Sequence, residues 1–499
     1  MQQSHSFPVR LLLFIAILLN VVMWSACNKT NQEQSANTGK VPITTKSEEA
    51  RNEFLQGRDL SEKLLAQESL QHFQKAVALD PDFAFAELAL ANNAPTTKEF
   101  FEHLNKAVAL SAKASDGEKF QILAAQAAAN GDTVKQKQYL DQLIAAYPND
   151  ERAQAAIGNY YFAQQDLAST VEHYKKATGI APNFSPSYNI LGYAYKQLGD
   201  YAEAERAFQK YIELIPNDPN PYDSYGELLM KMGRFDDSIA QYNKALSINS
   251  HFPSSHFGIA GDLMYMGKPE PATAEMQKIV DQALNDGERR LAYFGMAVVA
   301  SDNGQFNQAQ QAMDKEYAVA EKNNDVVSMA ADLQAKGNIY AATPNPSAAT
   351  QQFDRSLKIM EDSSVSQEIK NNANLLHEFN MAVIALDKKD YSGAKTHIET
   401  YRKGAEAAKN SFQMRQAHEL AGRIALGQKD YDTAITELGQ ANLQDPRNLY
   451  RLSQAYQAKG DHEKAKDYLK QVAEFNSLPA LNYAFIRRKA QKMLAAEKS

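Results

Sequence analysis

The chain has one cysteine in 499 residues, Cys27. A single thiol excludes disulfides and any thiol-based metal site in the folded part. There is one tryptophan, Trp24. Lys and Arg number 53 against 60 Asp and Glu, a net charge of −7. Residues 1–26 contribute only Arg10, so their removal leaves −8. An acidic chain without a basic stripe argues against nucleic acid as a partner. No HExxH, GxSxG or GxxxxGK[ST] motif occurs, which removes the zinc-protease, hydrolase-elbow and phosphate-loop readings. The ten His are scattered, and His251 and His256 lack a carboxylate at metal-ligand spacing. Neither a metal nor a cofactor is expected, and an enzyme with an unrecognised site is the least supported reading.

What is present is a period. Gly131, Gly199, Gly233 and Gly267 follow a step of 34 residues, with Gln165 in the one gap. Pro148, Pro182 and Pro216 keep the same step, as do Tyr161 with Tyr195 and Gly158, Gly192 and Gly226. A strict repeat of this length means stacked copies of one small unit. Within Ser185–Asp218, Tyr188, Leu191, Gly192 and Tyr195 lie on one helical face. Gly199-Asp200 breaks that helix. Tyr201, Ala204, Phe208 and Tyr211 mark a second, stopped at Pro216. Ser115 with Glu118 has capping-box form, and Asn285 with Glu288 is a second version.

This pattern resembles the tetratricopeptide repeat (TPR), with Tyr188 where the family has Trp. His418 takes the same place in its copy and reads as a packing residue. The resemblance implies an all-α solenoid, a right-handed superhelix of antiparallel helix pairs, with about twelve repeats and a C-terminal capping helix. Residues 47–116 hold N-terminal repeats, 117–286 five regular ones, 287–410 longer ones and 411–478 the last. Residues 479–499 form the cap, with Leu481, Ala484, Phe485 and Ala490 inward and Arg487, Arg488, Lys489 and Lys492 outward. The longer units need extended helices or turns.

The resemblance also implies that the first helix of each pair lines a concave groove. Its positions are Arg152 and Asn159 in one copy, Asn189, Tyr193 and Lys196 in the next, and Asp223, Glu227 and Lys231 in the third. Phe257, Met264 and Tyr265 continue it. Asn bonds a peptide backbone and Tyr packs its side chains, so a protein or peptide partner is expected. Ala155 stands where a terminal-carboxylate clamp needs Lys, so that subtype is absent.

Leu11 to Met23 is an apolar run interrupted by Asn20, followed by Trp24-Ser25-Ala26-Cys27. The run is too short to span a bilayer and has signal-peptide length. Ser and Ala before Cys resemble the lipobox of bacterial lipoproteins. Residues 1–26 are then a signal peptide, Cys27 is acylated and residues 27–46 form the lipidated Cys and a flexible tether of about 25 Å mean reach. Loss of Trp24 would leave the mature chain without tryptophan. The expected address is the cell envelope, lipid-anchored, with the outer membrane facing the periplasm as the favoured site. The function expected is a membrane-anchored scaffold or adaptor. A subunit of an envelope assembly or secretion machine and a small-ligand or glycan receptor are the alternatives.

Overall fold

The computed structural model describes residues 39–343 and 345–496, which are helical throughout apart from turns and short extended stretches. The signal peptide and Cys27 lie outside the described residues. Among the described residues the helices come in twelve consecutive hairpins. The first six are α1 (Glu48–Glu62) with α2 (Ala66–Leu79), α3 (Ala84–Asn92) with α4 (Thr97–Leu110), α5 (Asp116–Ala129) with α6 (Thr133–Ala146), α7 (Glu151–Ala163) with α8 (Leu167–Ile180), α9 (Ser185–Leu198) with α10 (Tyr201–Leu214), and α11 (Asn220–Lys231) with α12 (Phe235–Ile248). The next three are α13 (Pro253–Tyr265) with α14 (Pro269–Gln282), α15 (Asp286–Asp302) with α16 (Phe306–Lys322), and α17 (Val326–Ala341) with α18 (Pro346–Asp362). The last three are α19 (Gln367–Asp387) with α20 (Tyr391–Ala408), α21 (Ser411–Gly427) with α22 (Tyr431–Gln440), and α23 (Pro446–Lys459) with α24 (His462–Ala473). Two short helices follow, α25 (Leu481–Ala484) and α26 (Arg487–Ala496). Two compact units result. The N-terminal unit holds residues 39–228 and 243–250, and the C-terminal unit holds 229–242 and 251–496.

The hairpin follows from a few residues. The first helix ends in a residue with left-handed backbone: Gly131, Gly199, Gly233 and Gly267 have φ between 74 and 79°. Gln165, which fills the gap in the glycine series, adopts the same turn at φ 61°. The turn geometry is therefore set by the hairpin, and glycine only makes it cheap. An Asp next to that turn then caps the second helix, as Asp132, Asp166 and Asp200 do by accepting backbone N–H bonds.

The two helices then mesh in a fixed register. Gly192 on α9 faces Phe208 on α10, sixteen residues later, and a Cβ there would stand 2.6 Å from the ring. Side chains nineteen residues apart also meet across the hairpin. His72 pairs with Glu53 at 2.7 Å, His173 with Gln154 at 2.9 Å, His256 with Glu275 at 2.8 Å and His397 with Glu378 at 2.7 Å. His418 is one of this series, bonded to Glu437 at 2.8 Å. It is polar cross-hairpin glue, a role more specific than packing.

In the longer units the extra residues sit in the helices. α15 and α16 have 17 residues each and α19 has 21, against 14 in α9 and α10. Two terminal stretches differ from the sequence reading. Residues 40–46 are bonded to the hairpins rather than lying free as a tether. Residues 479–496 form two helices, and Arg487, expected on the outside, is 4% exposed.

Candidate protein-binding face

In each unit first helices lie side by side as well as against their hairpin partners: α3 touches α5, and α13 touches α15. Side chains from successive first helices therefore share one face. Tyr193 and Lys196 of α9 meet Glu227 of α11 there. The Tyr193 hydroxyl donates to Glu227 Oε1 at 2.8 Å and reaches Ser224 Oγ at 3.2 Å. Lys196 Nζ donates to Glu227 Oε2 at 3.0 Å and lies 4.3 Å from the centre of the Tyr193 ring. Burial, with the Glu227 carboxylate next, holds the Tyr193 phenol well above its ordinary value. These three expected site residues thus form one half-buried polar cluster, with Lys196 and Glu227 side chains each 15% exposed.

The other expected positions in this unit lie deeper. Asn189 is 4% exposed and its Oδ1 accepts no hydrogen bond; Asp223 is 5% exposed. Asn159, also 4% exposed, accepts a 2.6 Å bond from the Tyr174 hydroxyl of its own hairpin. Arg152, 6% exposed, makes a two-armed pair with Glu62 of α1 at 3.0 and 3.3 Å, also bonds Glu151, and lies 4.5 Å from the Phe184 ring centre. Arg58 sits beside it, and burial followed by the Arg152 charge pushes its guanidinium down to about 9. Glu62 and Arg58 had no signal in the repeat pattern, because their partners lie 90 residues or more along the chain.

In the C-terminal unit the first-helix face holds a non-helical stretch of the chain itself. Lys231 Nζ donates to the Phe475 carbonyl at 2.5 Å and lies 4.1 Å from the Phe475 ring centre. The Tyr265 hydroxyl donates to the Ser477 carbonyl. Pro479 lies against Gly261, where a Cβ would be 3.0 Å from its ring. Beyond it Leu481, Tyr483 and Ile486 are buried, and Arg487 Nε reaches Asp302 Oδ1 at 2.7 Å. Lys231 and Tyr265 were both legible as face positions; residues 475–487 as their occupant were not.

A shallow hollow of about 420 Å³ is lined by Asp286, Arg289, Tyr293, Lys315, Ala318, Val319 and Lys322. Among the described residues no cluster of His, Cys, Asp and Glu could hold a metal ion, and no helix is long and apolar enough to cross a membrane.

Known proteins offer a matching motif. The tetratricopeptide repeat family model matches residues 185–218, 220–252 and 446–477, which are α9–α10, α11–α12 and the region of α23–α24. No curated protein matches the chain. Among solved structures, the chain is similar to a tetratricopeptide repeat protein from Parabacteroides merdae, with 15% identity over 52% of this chain and 98% of that one and a TM-score of 0.36. It is similar to MamA, with 20% identity over 34% and 96% and a TM-score of 0.27. It is also similar to PilW, a type IV pilus biogenesis factor, with 18% identity over 44% and 97% and a TM-score of 0.32. The hairpin geometry and the family match agree: the fold is an all-α solenoid of tetratricopeptide-type hairpins, and three stretches of it are tetratricopeptide repeats.

Proposed function

We propose that this protein is a protein-binding scaffold of the bacterial cell envelope, attached to the outer membrane on its periplasmic side through acylated Cys27. It acts by holding a partner segment on its first-helix face, not by turnover. The observation that carries the binding half is the seating of residues 475–480. Lys231 and Tyr265 bond main-chain carbonyls there, so the contact recognises non-helical backbone before it recognises side chains. The Tyr193–Lys196–Glu227 cluster offers the same donor types on half-buried positions of the N-terminal unit. Arg152, Asn159, Asn189 and Asp223 are buried in the same unit and do not present groups to a partner as the cluster does.

The anchoring half is supported by the residues before Cys27. Two or more acyl chains give stable attachment where one does not. The test is affinity capture from envelope extract with the whole lipidated protein, comparing wild type with Tyr193→Ala and Lys196→Ala. Loss of the same captured proteins in both variants, with thermal stability kept, supports the face. Equal capture sinks it. Cys27→Ala should move the protein from the membrane to the soluble fraction.

A further inference from the structure

Residues 39–46 cross the N-terminal unit as a strap. Backbone N–H groups of Val41, Thr44 and Lys46 donate to Asp150 Oδ2 at 2.8 Å, Glu118 Oε1 at 2.8 Å and Asp80 Oδ2 at 2.9 Å. The three acceptors belong to the loops and first turns that open α7, α5 and α3. Asp150 is the N-cap of α7, and Glu118 closes the capping box of α5. The strap's carbonyls are also held: Ile43 accepts from Arg51 at 2.7 Å and Pro42 from Ser115 Oγ at 3.3 Å. Thr45 Oγ1 donates to Asp80 at 2.6 Å. Val41 fills the space over Gly117, where a Cβ would be 2.8 Å away, and Lys40 pairs with Glu151.

The order is informative. Read from Lys46 back to Val41, the strap meets the second, third and fourth hairpins in turn. It advances two or three extended residues per hairpin, about 7–10 Å, which matches the spacing of packed helices. The first described residue, Gly39, therefore sits at the start of α7, beside Asn149, and not at the first hairpin. Twelve residue steps separate Cys27 from Gly39, and they reach at most about 43 Å. From Ser47, twenty steps would reach about 72 Å.

We infer that the edge of the N-terminal unit formed by the loops opening α3, α5 and α7 is its lipid-facing edge, held there by the strap. The inference rests on the lipid anchor proposed above. The partner is the lipid headgroup surface, and the opposite edge, with the turns at Gly131, Gln165 and Gly199, points away from it. The strap turns a loose tether into an orienting one: it shortens the reach and moves the attachment from the end of the unit to its middle.

The experiment uses the full lipidated chain on vesicles of phosphatidylethanolamine and phosphatidylglycerol carrying a headgroup energy-transfer acceptor. Acylation blocks Cys27, so one added cysteine takes one donor dye. Asn183→Cys and Leu198→Cys place the dye at opposite ends of α9 on exposed positions, about 21 Å apart. Transfer should be at least twice as efficient from 183 as from 198. The double variant Val41→Pro/Thr44→Pro removes two strap N–H donors. It should erase that difference and speed tryptic cleavage after Lys46 at least tenfold. Equal transfer from the two sites in the wild type, or a difference that survives the double variant, overturns the orientation. Flotation that persists in Cys27→Ala overturns the anchor and the orientation with it. Flotation that depends on Cys27, with equal transfer at both sites, overturns the orientation alone.

Discussion

Two stretches outside the hairpins are docked in opposite ways. The strap at 39–46 is held by carboxylates that accept its N–H groups, and most of its residues stay partly exposed. The stretch at 475–487 is held by donors that take its carbonyls, and it buries Leu481, Tyr483, Ile486 and Arg487. A polar attachment contributes little beyond the bonds it makes, since each replaces a bond to water. A buried one contributes apolar area and cannot lift off without exposing it. The strap is therefore suited to orientation and release, and the C-terminal stretch to permanent structure.

The two also carry opposite pH signs. Asp80 is held below the ordinary carboxylate range: burial works against this, and the Thr45 hydroxyl and Lys46 N–H outweigh it. Its contribution is present above the unfolded value and lost as pH falls through the folded one. Asp262 follows Gly261, the residue that Pro479 packs against. Burial pushes its carboxyl up to about 8, and Ser238 only partly offsets this. The folded chain keeps a proton there that the unfolded chain releases, so stability is lost as pH rises from about 4 to about 8.

The largest effect is expected from Arg487→Ala. It leaves the Asp302 carboxylate, 1% exposed, without its main partner, and should cost about 3–5 kcal/mol in denaturant unfolding of the C-terminal unit. A loss below 1 kcal/mol would place this stretch in the same class as the strap. Gly192→Ala tests the hairpin register in the N-terminal unit. The new methyl meets the Phe208 ring, and a loss of about 1–3 kcal/mol is expected, read from the unfolding midpoint. Asp262→Asn should flatten the pH dependence of the C-terminal unit by up to about 1.4 kcal/mol per pH unit between pH 4 and 8. Parallel unfolding curves for variant and wild type across that range would remove Asp262 from the account. The smallest effect is Thr45→Val, which should loosen the strap by about 1 kcal/mol and raise the pH at which trypsin reaches Lys40. Global stability should not change.

Much of the hairpin was legible because its contacts are short in sequence. The step of 34 residues, the glycines and the Tyr and Phe of the second helix encode contacts sixteen residues apart, as between Gly158 and Tyr174 and between Gly192 and Phe208. Even the break at Gln165 was informative, since a residue that keeps the period without glycine still has to make the turn. The Tyr193, Lys196 and Glu227 cluster was legible only as three positions on one face. Its bonds depend on how α9 and α11 are stacked. The depth of Asn159 and Arg152 was not legible, because Tyr174 reaches Asn159 from the second helix and Glu62 reaches Arg152 from 90 residues away.

The amino-acid order alone determined the helices, their turns, their pairing and the count of hairpins, because each of those is settled within one repeat length. The tertiary structure decided what lies on the faces. Arg487 finds Asp302 185 residues away, Lys231 finds Phe475 244 residues away, and Val41 finds Asp150 109 residues away. Contacts that occur once leave no period to read. They arise only when stacked hairpins bring distant side chains within reach, and burial then decides which of them hold.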